Sequence, residues 1–304
     1  MDKQALTQFV KAEAQRLGFT VCGVAQAEAV APEVQEAYMQ WIQQGCQAGM
    51  DYLERNLDKR FDPRLLVPGV QSIICVALNY YPATFLPEDT YQIAWYAYGK
   101  DYHDVMRERL GQLLQSIQAQ CPPAEGRCFC DTAPVLERYW AQRAGLGWQG
   151  RNTQLIIPGK GSTFFLGEIF LNQELEFDAP MENHCGTCQA CVELCPNKAL
   201  SADRNHCAAP NCLSYLTIEN RGPLPEGTPL GNRIYGCDQC QKACPHNRLA
   251  QPTSVPEFTP SSALLNMTPE AWQALTREEY QALFKGSAVK RAKFEGLQRN
   301  IKAI

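Results

Sequence analysis

The 304-residue chain lacks any apolar run approaching the roughly 20 residues that cross a bilayer, so no membrane is expected among its partners. It also lacks a secretory leader. Met1-Asp2-Lys3-Gln4 is polar, and the expected location is the cytoplasm, where thiols stay reduced. A dominant charge is missing too, because a net charge of −4 gives no overall attraction to nucleic acid. Histidine is scarce, with four residues: His184, His206 and His246 flank cysteines, and His103 stands apart.

Cysteine is what the chain has in excess, with 15 residues. Cys185, Cys188, Cys191 and Cys195 run as C-x2-C-x2-C-x3-C and are followed by Pro196. This is the spacing by which bacterial ferredoxins place three thiolates on one cubane and send the fourth to its neighbour. A second run, Cys237, Cys240 and Cys244 before Pro245, is one ligand short. Cys207 and Cys212 are the available donors. Cys212 is favoured because it opens the apolar-periodic segment Leu213, Leu216, Ile218, whereas Cys207 lies in a loop-like stretch from Asn205 to Pro210. Crossed pairing then assigns Cys185, Cys188, Cys191 and Cys244 to one 4Fe-4S cluster, and Cys195, Cys212, Cys237 and Cys240 to the other. Structural zinc prefers two separated pairs to a repeated triple ending in Cys-Pro, and a disulfide framework does not suit a long chain without a leader. Cys22, Cys46, Cys75, Cys121, Cys128 and Cys130 read as small buried hydrophobes.

Upstream of these runs the periodicity predicts helices over residues 3–17, 32–44, 102–120 and 131–143. Strands are expected over 19–25, 73–78 and 127–130, with a hairpin between 154–157 and 162–171 across Pro158-Gly159-Lys160-Gly161. The continuous run Ile73-Ile74-Cys75-Val76-Ala77-Leu78 suits a sheet covered on both faces. The chain therefore divides into an α/β domain over 1–178, a ferredoxin-like domain over 179–250, and a linker with a helical region over 251–304. In the last part Pro252, Pro256 and Pro260 mark the linker, and Thr268-Pro269 caps a helix. From Lys285 to Lys302 six basic residues (Lys285, Lys290, Arg291, Lys293, Arg299, Lys302) face one acidic residue, Glu295. Such a patch suits a phosphate backbone or a solvated helix face. The chain stops within a helical pattern, as a short tail or the start of further helical repeats would.

Several segments in this order resemble the epoxyqueuosine reductase family over nearly the whole chain. They are Asp51-Tyr52-Leu53 with Lys59-Arg60-Phe61-Asp62-Pro63, Tyr98 to His103, Asp131-Thr132-Ala133-Pro134-Val135-Leu136-Glu137-Arg138, Gly145 to Thr153, and Cys212 to Glu219. Both cysteine runs and the closing Arg291 to Asn300 complete the match.

The resemblance implies a cytoplasmic, monomeric enzyme related to reductive dehalogenases. Its fold class would be α+β/α/β, with an N-terminal α/β cobalamin-binding domain, a two-cluster ferredoxin-like domain, and a short helical tail like the start of HEAT-like repeats. Its cofactors would be cobalamin and two 4Fe-4S clusters, and its partners a tRNA carrying epoxyqueuosine and an external one-electron donor. The common sequence sign for a histidine ligand to cobalt, Asp-x-His-x-x-Gly, is absent, which fits a cofactor bound base-off without a protein histidine. Removing an epoxide oxygen takes two electrons and two protons, and a proton donor must meet the departing oxygen. The resemblance gives that role to Asp131, kept protonated by burial; the local sequence alone would make Asp131 or Thr132 a helix cap. It also gives cobalamin contacts to Arg60, Asn152, Leu155, Asp238 and Gln239 besides Asp131. Gly147 and Gly150 would let backbone approach the corrin, and Trp148 would belong to the core. A plain ferredoxin-type carrier, a nucleic-acid-binding protein with structural clusters, and a reductive dehalogenase are the rival functions. Tight cobalamin retention, reducible clusters and the basic tail would separate them.

Overall fold

A computed structural model describes residues 2–201 and 206–304. Met1 and Asn205 lie outside the described residues.

The chain enters through the helix Lys3–Arg16, whose N-terminus is capped by the Asp2 carboxylate accepting the Ala5 N–H. Leu6, Val10 and Ala14 recur on its inner face and are buried. Gly18, at φ 87°, turns the chain where a Cβ would come within 2.6 Å of the Arg109 guanidinium. The strand Val21–Gln26 follows and pairs with Ser72–Asn79. Phe164–Leu171 pairs on the other side of Ser72–Asn79, and Gly126–Phe129 closes the edge. Every pairing in this four-stranded sheet is antiparallel, so of the two fold labels the α+β one describes it.

Both faces of Ser72–Asn79 are covered, as its unbroken apolar run requires. Ile74, Val76 and Leu78 point to a core built with the helices Lys3–Arg16 and Tyr102–Gln120. Ile73, Cys75 and Ala77 point to a smaller core with Trp140 and Ala141 of the helix Glu137–Arg143.

The expected hairpin across Pro158–Gly161 does not form. Phe164–Leu171 is taken by the central sheet, and Leu155–Ile156 pairs back onto Trp148–Gln149. One isolated bridge, Ile157 to Gly161, is what remains of it. Gly147 serves this small ribbon, since a Cβ there would lie 2.1 Å from the Ile156 carbonyl oxygen. Gly150 does the same, at 2.5 Å from the Ile156 side chain. Their smallness is therefore spent on the chain itself.

The proline-marked passage after Cys244 is a packed strap. Thr253 N–H donates to Tyr81 O, Lys100 N–H donates to Glu257 O, and Val255 and Phe258 are buried. Thr268 caps Pro269–Gln273 as expected. Trp272, Tyr280, Phe284, Leu297 and Ile301 then join the same core as the first helix. Truncating Trp272 to alanine there would cost about 3–5 kcal/mol. The closing helix Lys293–Lys302 buries Asn300 completely, and its Nδ2 donates at 2.8 Å to both Thr217 O and Ile234 O.

Candidate active site and cluster pockets

The cysteine-rich segment docks through a parallel pair of strands, Gln92–Ile93 with Arg233–Tyr235, which ends just before Cys237. Cys185, Cys188, Cys191 and Cys244 line one cavity together with Arg151, Asn152, Ile156, Pro245 and His246. The last thiol of the second run thus joins the first three of the first run. Cys244 has the extended backbone that a following proline imposes (φ −72°, ψ 122°), which carries the chain away from the cavity after the thiol. Among the described residues no trio of His, Cys, Asp or Glu closes to single-ion spacing; the four thiols line a rim instead.

Cys195, Cys212 and Cys237 all act on Cys240: burial first, then the charges of Cys237, Cys212, Asp238 and Cys195, raise its thiol. Cys207 stands at the same corner, its thiol hydrogen-bonded to Cys212. The two differ in what surrounds the sulfur. Cys212 is the N-cap of the helix Leu213–Ile218. The Cys207 hydrogen bond, with help from the Tyr215 and Ser214 N–H groups, outweighs burial and holds Cys212 below the ordinary thiol range. The same pairing, with burial, pushes Cys207 up. The start of a helix favours a thiolate, and of the two only Cys212 stands there.

Asp131 lies just beyond the edge strand Gly126–Phe129. It does not cap a helix: its φ is 59° and the next helix begins six residues later at Glu137. The Thr132-Ala133-Pro134 stretch has bends rather than helix, because a residue before proline is kept out of the helical region. The turned backbone presents the carboxyl outward, with 57% of the side chain accessible. Tyr102 Oη donates to Asp131 Oδ2 at 2.5 Å, and His103 Nε2 lies 3.3 Å from the same oxygen. Asp131 N–H donates to Glu137 Oε1.

The surrounding protein desolvates the Asp131 carboxyl and works to raise its pKa. The hydrogen bonds from His103 and Tyr102 win, and Asp131 is held below the usual carboxylate range. This reverses the expectation that burial keeps it protonated. The neighbouring imidazole is shifted the other way. Hydrogen bonds to Asp101 and then Asp131 lift His103 to about 9 against the pull of burial. Asp101 Oδ1 takes His103 Nδ1 at 2.7 Å, and Lys290 Nζ is 3.0 Å from Asp101 Oδ2. Burial opposes the charge on Asp101, but His103 and Lys290 overcome it and keep the carboxylate ionised. Burial, with the Asp131 charge, raises Tyr102 and fixes it as a donor.

A cavity of about 230 Å³ opens beside this loop, lined by His103, Arg107, Arg127 and residues 128–130 and 132–134. From the sequence His103 reads equally as a neighbour of the site or as a hydrogen-bonded histidine at a helix start, and Tyr102, Asp101 and Glu137 carry no sign of a role. The signal available for the first three was the Tyr98–His103 motif itself, in which Asp101 reads as the N-cap that it is.

The other expected cofactor contacts are dispersed. Arg60 is buried, stacks 5.7 Å over Tyr38, and keeps Nε without a hydrogen-bond partner. An acceptor oxygen on a bound cofactor would satisfy that group, so this residue fits a cobalamin amide or phosphate. Asn152 is buried at the cluster side and reaches Cys240 O at 3.5 Å. Leu155 packs in the core with Ile157 and Trp140. Asp238 turns its carboxylate inward to Trp95 N–H and Gln241 Nε2, and Gln239 Oε1 is taken by Arg233. Their side chains are spent within the protein, leaving backbone to face a ligand. Trp148 is a core residue between the rings of His184 and His246.

The basic tail is partly neutralised. Arg291 makes a two-pronged pair with Glu219, both arms at 2.7 Å. Arg299 is absorbed by the carbonyls of Leu216, Asn220 and Gly222, and Lys290 faces Asp101. Lys285, Lys293 and Lys302 remain exposed.

Comparison with known proteins matches residues 60–132 to the family described as "Epoxyqueuosine reductase QueG, DUF1730" and residues 184–247 to a "4Fe-4S double cluster binding domain". The epoxyqueuosine reductase of Cellulophaga algicola is 40% identical over 304 residues, covering 98% of each chain. The chain belongs to the epoxyqueuosine reductase family. It is accordingly an oxidoreductase with a 4Fe-4S binding domain. A crystal structure of an epoxyqueuosine reductase with an epoxyqueuosine-modified tRNA stem loop superposes with a TM-score of 0.89 at 29% identity, covering 98% of this chain and 80% of that one. A Bacillus subtilis epoxyqueuosine reductase, captured with its catalytic aspartate loop swung out of the active site, gives 0.89 at 28% over the same shares. A reductive dehalogenase, whose structure suggests a mechanism for B12-dependent dehalogenation, shares the fold at a TM-score of 0.50 and 16% identity, covering 99% of this chain and 38% of that one. Among the described residues no helix is long and apolar enough to cross a membrane.

Proposed function

We propose that the chain reduces epoxyqueuosine to queuosine at the wobble position of tRNA with Asp131 as the group that protonates the departing oxygen. The reading assigns residues 1–178 to cobalamin and catalysis, 179–250 to two 4Fe-4S clusters, and 251–304 to bracing and tRNA contact. Cys185, Cys188, Cys191 and Cys244 would hold one cluster, and Cys195, Cys212, Cys237 and Cys240 the other. Arg60, Asn152, Leu155, Asp238 and Gln239 would line the cobalamin, the last two through backbone. The enzyme would work as a monomer in the cytoplasm with an external one-electron donor.

Once bound, the clusters would supply electrons one at a time and the cobalamin a redox-active cobalt. The rest falls to side chains. The oxygen leaves as water when two C–O bonds break and a C=C bond forms, with two electrons and two protons consumed. Asp131, ionised at rest, receives a proton from His103, whose charged form Asp101 stabilises and orients. Asp131 then passes it to the oxygen, and Tyr102 holds the carboxyl in place. One observation carries the reading: a single, accessible carboxylate oxygen is met by both a tyrosine hydroxyl and a charged histidine.

The deciding experiment is anaerobic incubation with cobalamin, a reductant and epoxyqueuosine-containing tRNA, with mass analysis for loss of one oxygen from the nucleoside. Asp131→Asn should keep both clusters and the cobalamin spectrum but form no product; undiminished turnover would remove Asp131 from the mechanism.

A further inference from the structure

Glu168 sits in the middle of the central strand Phe164–Leu171, opposite Cys75 on one side and Phe129 on the other. Its exposure is 0%, and neither carboxyl oxygen has a hydrogen-bond partner. A valine or leucine would fill this position without an unsatisfied polar group, so a carboxyl here calls for an explanation beyond packing. Strand alternation turns Glu168 to the same face as Phe170, toward the helix Glu137–Arg143. That helix begins with Glu137, which accepts the Asp131 N–H.

Three carboxyl groups thus run from the interior to the cleft: Glu168 wholly buried, Glu137 half-buried, and Asp131 mostly accessible. We propose that Glu168 and Glu137 form a proton store beneath Asp131, from which Asp131 is reloaded during turnover. The proposal rests on Asp131 as the acid and addresses what a single carboxyl cannot do. The oxygen departs as water and takes two protons, whereas one carboxyl holds one. In the reload, Glu137 first releases its proton to the Asp131 carboxylate, Glu168 then turns its unpartnered carboxyl to Glu137 and replaces that proton, and after product leaves the store refills by the reverse route through Asp131, the member open to solvent. No electrons move in these steps; both come from the external donor.

The electrostatics agree with a protonated interior. Burial first, then the charges of Glu137 and Asp131, raise Glu168 well above the carboxylate range. Burial, then the Asp131 charge, also raises Glu137. The other titratable groups around the pair are Cys75 and Cys130, both raised by burial, with Arg138 and His103 opposing the rise of Glu137. No cation neutralises Glu168 among the groups that shift it.

The test compares Glu168→Gln and Glu168→Leu with the wild-type holoenzyme, alongside Asp131→Asn. Infrared spectra should show a protonated-carboxyl band in the wild type at neutral pH that Glu168→Gln abolishes, whether or not substrate is present. Both Glu168 variants should lose about tenfold or more in steady-state turnover, with the loss growing as pH rises, while Glu168→Leu melts no lower than the wild type. If Glu168→Leu fails to fold, the glutamine variant carries the comparison. The proposal is overturned if the band is absent, or if Glu168→Gln keeps wild-type turnover and pH profile while Asp131→Asn is inactive. An active Asp131→Asn would instead remove the assignment of Asp131, and this proposal with it.

Discussion

Tyr102 and Phe165 lie face to face, ring centroids 4.4 Å apart and 3° from parallel. Phe165 is held by the central sheet, so the stack fixes the direction in which the Tyr102 hydroxyl points, and it points at Asp131. A group that looks peripheral to the chemistry is in this way aimed by the central sheet. Tyr102→Phe keeps the stack and removes the donor. A hydrogen bond to a charged acceptor is worth about 1.5–3 kcal/mol, so single-turnover product formation should fall roughly ten- to a hundredfold, with cluster and cobalamin spectra unchanged. Unaltered rates would show that the hydroxyl does not support Asp131.

His103 carries a pH signature. Its folded-state value of about 9 lies above the ordinary 6.5, so its charged form stabilises the fold. That stabilisation is fully present below about 6.5 and is lost as pH rises through about 9. The melting-temperature difference between wild type and His103→Gln should be largest near pH 6 and vanish above pH 9 or so. Turnover should fall over the same alkaline range, as the proton that His103 hands to Asp131 is lost.

Cys207 and Cys212 can be told apart by iron content. Cys212→Ser should purify anaerobically with about half of the wild-type iron and one remaining cluster signal. Cys207→Ser should keep nearly all of it, because Cys212 retains the helix N–H groups that favour its thiolate. The opposite result would make Cys207 the ligand.

The tail separates recognition from structure. Lys293→Ala and Lys302→Ala should each weaken tRNA binding and reduce the slope of log affinity against log salt by roughly one. Arg299→Ala should act on stability instead, because its guanidinium already holds three carbonyls. Thermal melts and salt-dependent binding of the same variants distinguish these outcomes.

The sequence was most legible where one property repeated. Leu6, Val10 and Ala14 announced a helix, Ile73 to Leu78 announced a doubly covered strand, and the two cysteine runs announced a cysteine-lined cavity. It was least legible where the partner lay far away. Nothing local says that Phe164–Leu171 prefers Ser72–Asn79 to the adjacent Leu155–Ile156, since an apolar run shows burial but not register. Asp131 was found through its motif, but its ionisation depends on Tyr102 and His103, some 30 positions upstream. Glu168 was invisible, because one acidic residue inside an apolar strand resembles an ordinary edge of the pattern. The tail showed its charges but not their use, since Glu219 and the carbonyls at Leu216 to Gly222 meet it only in the fold.

Asn300 fastens the closing helix to Thr217 and Ile234, which lie between Cys212 and Cys237 along the chain. A protease that trimmed the terminus back past this asparagine would loosen the scaffold that carries Cys212 and Cys237. Such damage would reach beyond the loss of Lys302 at the surface, into the packing between the two cysteine-bearing segments.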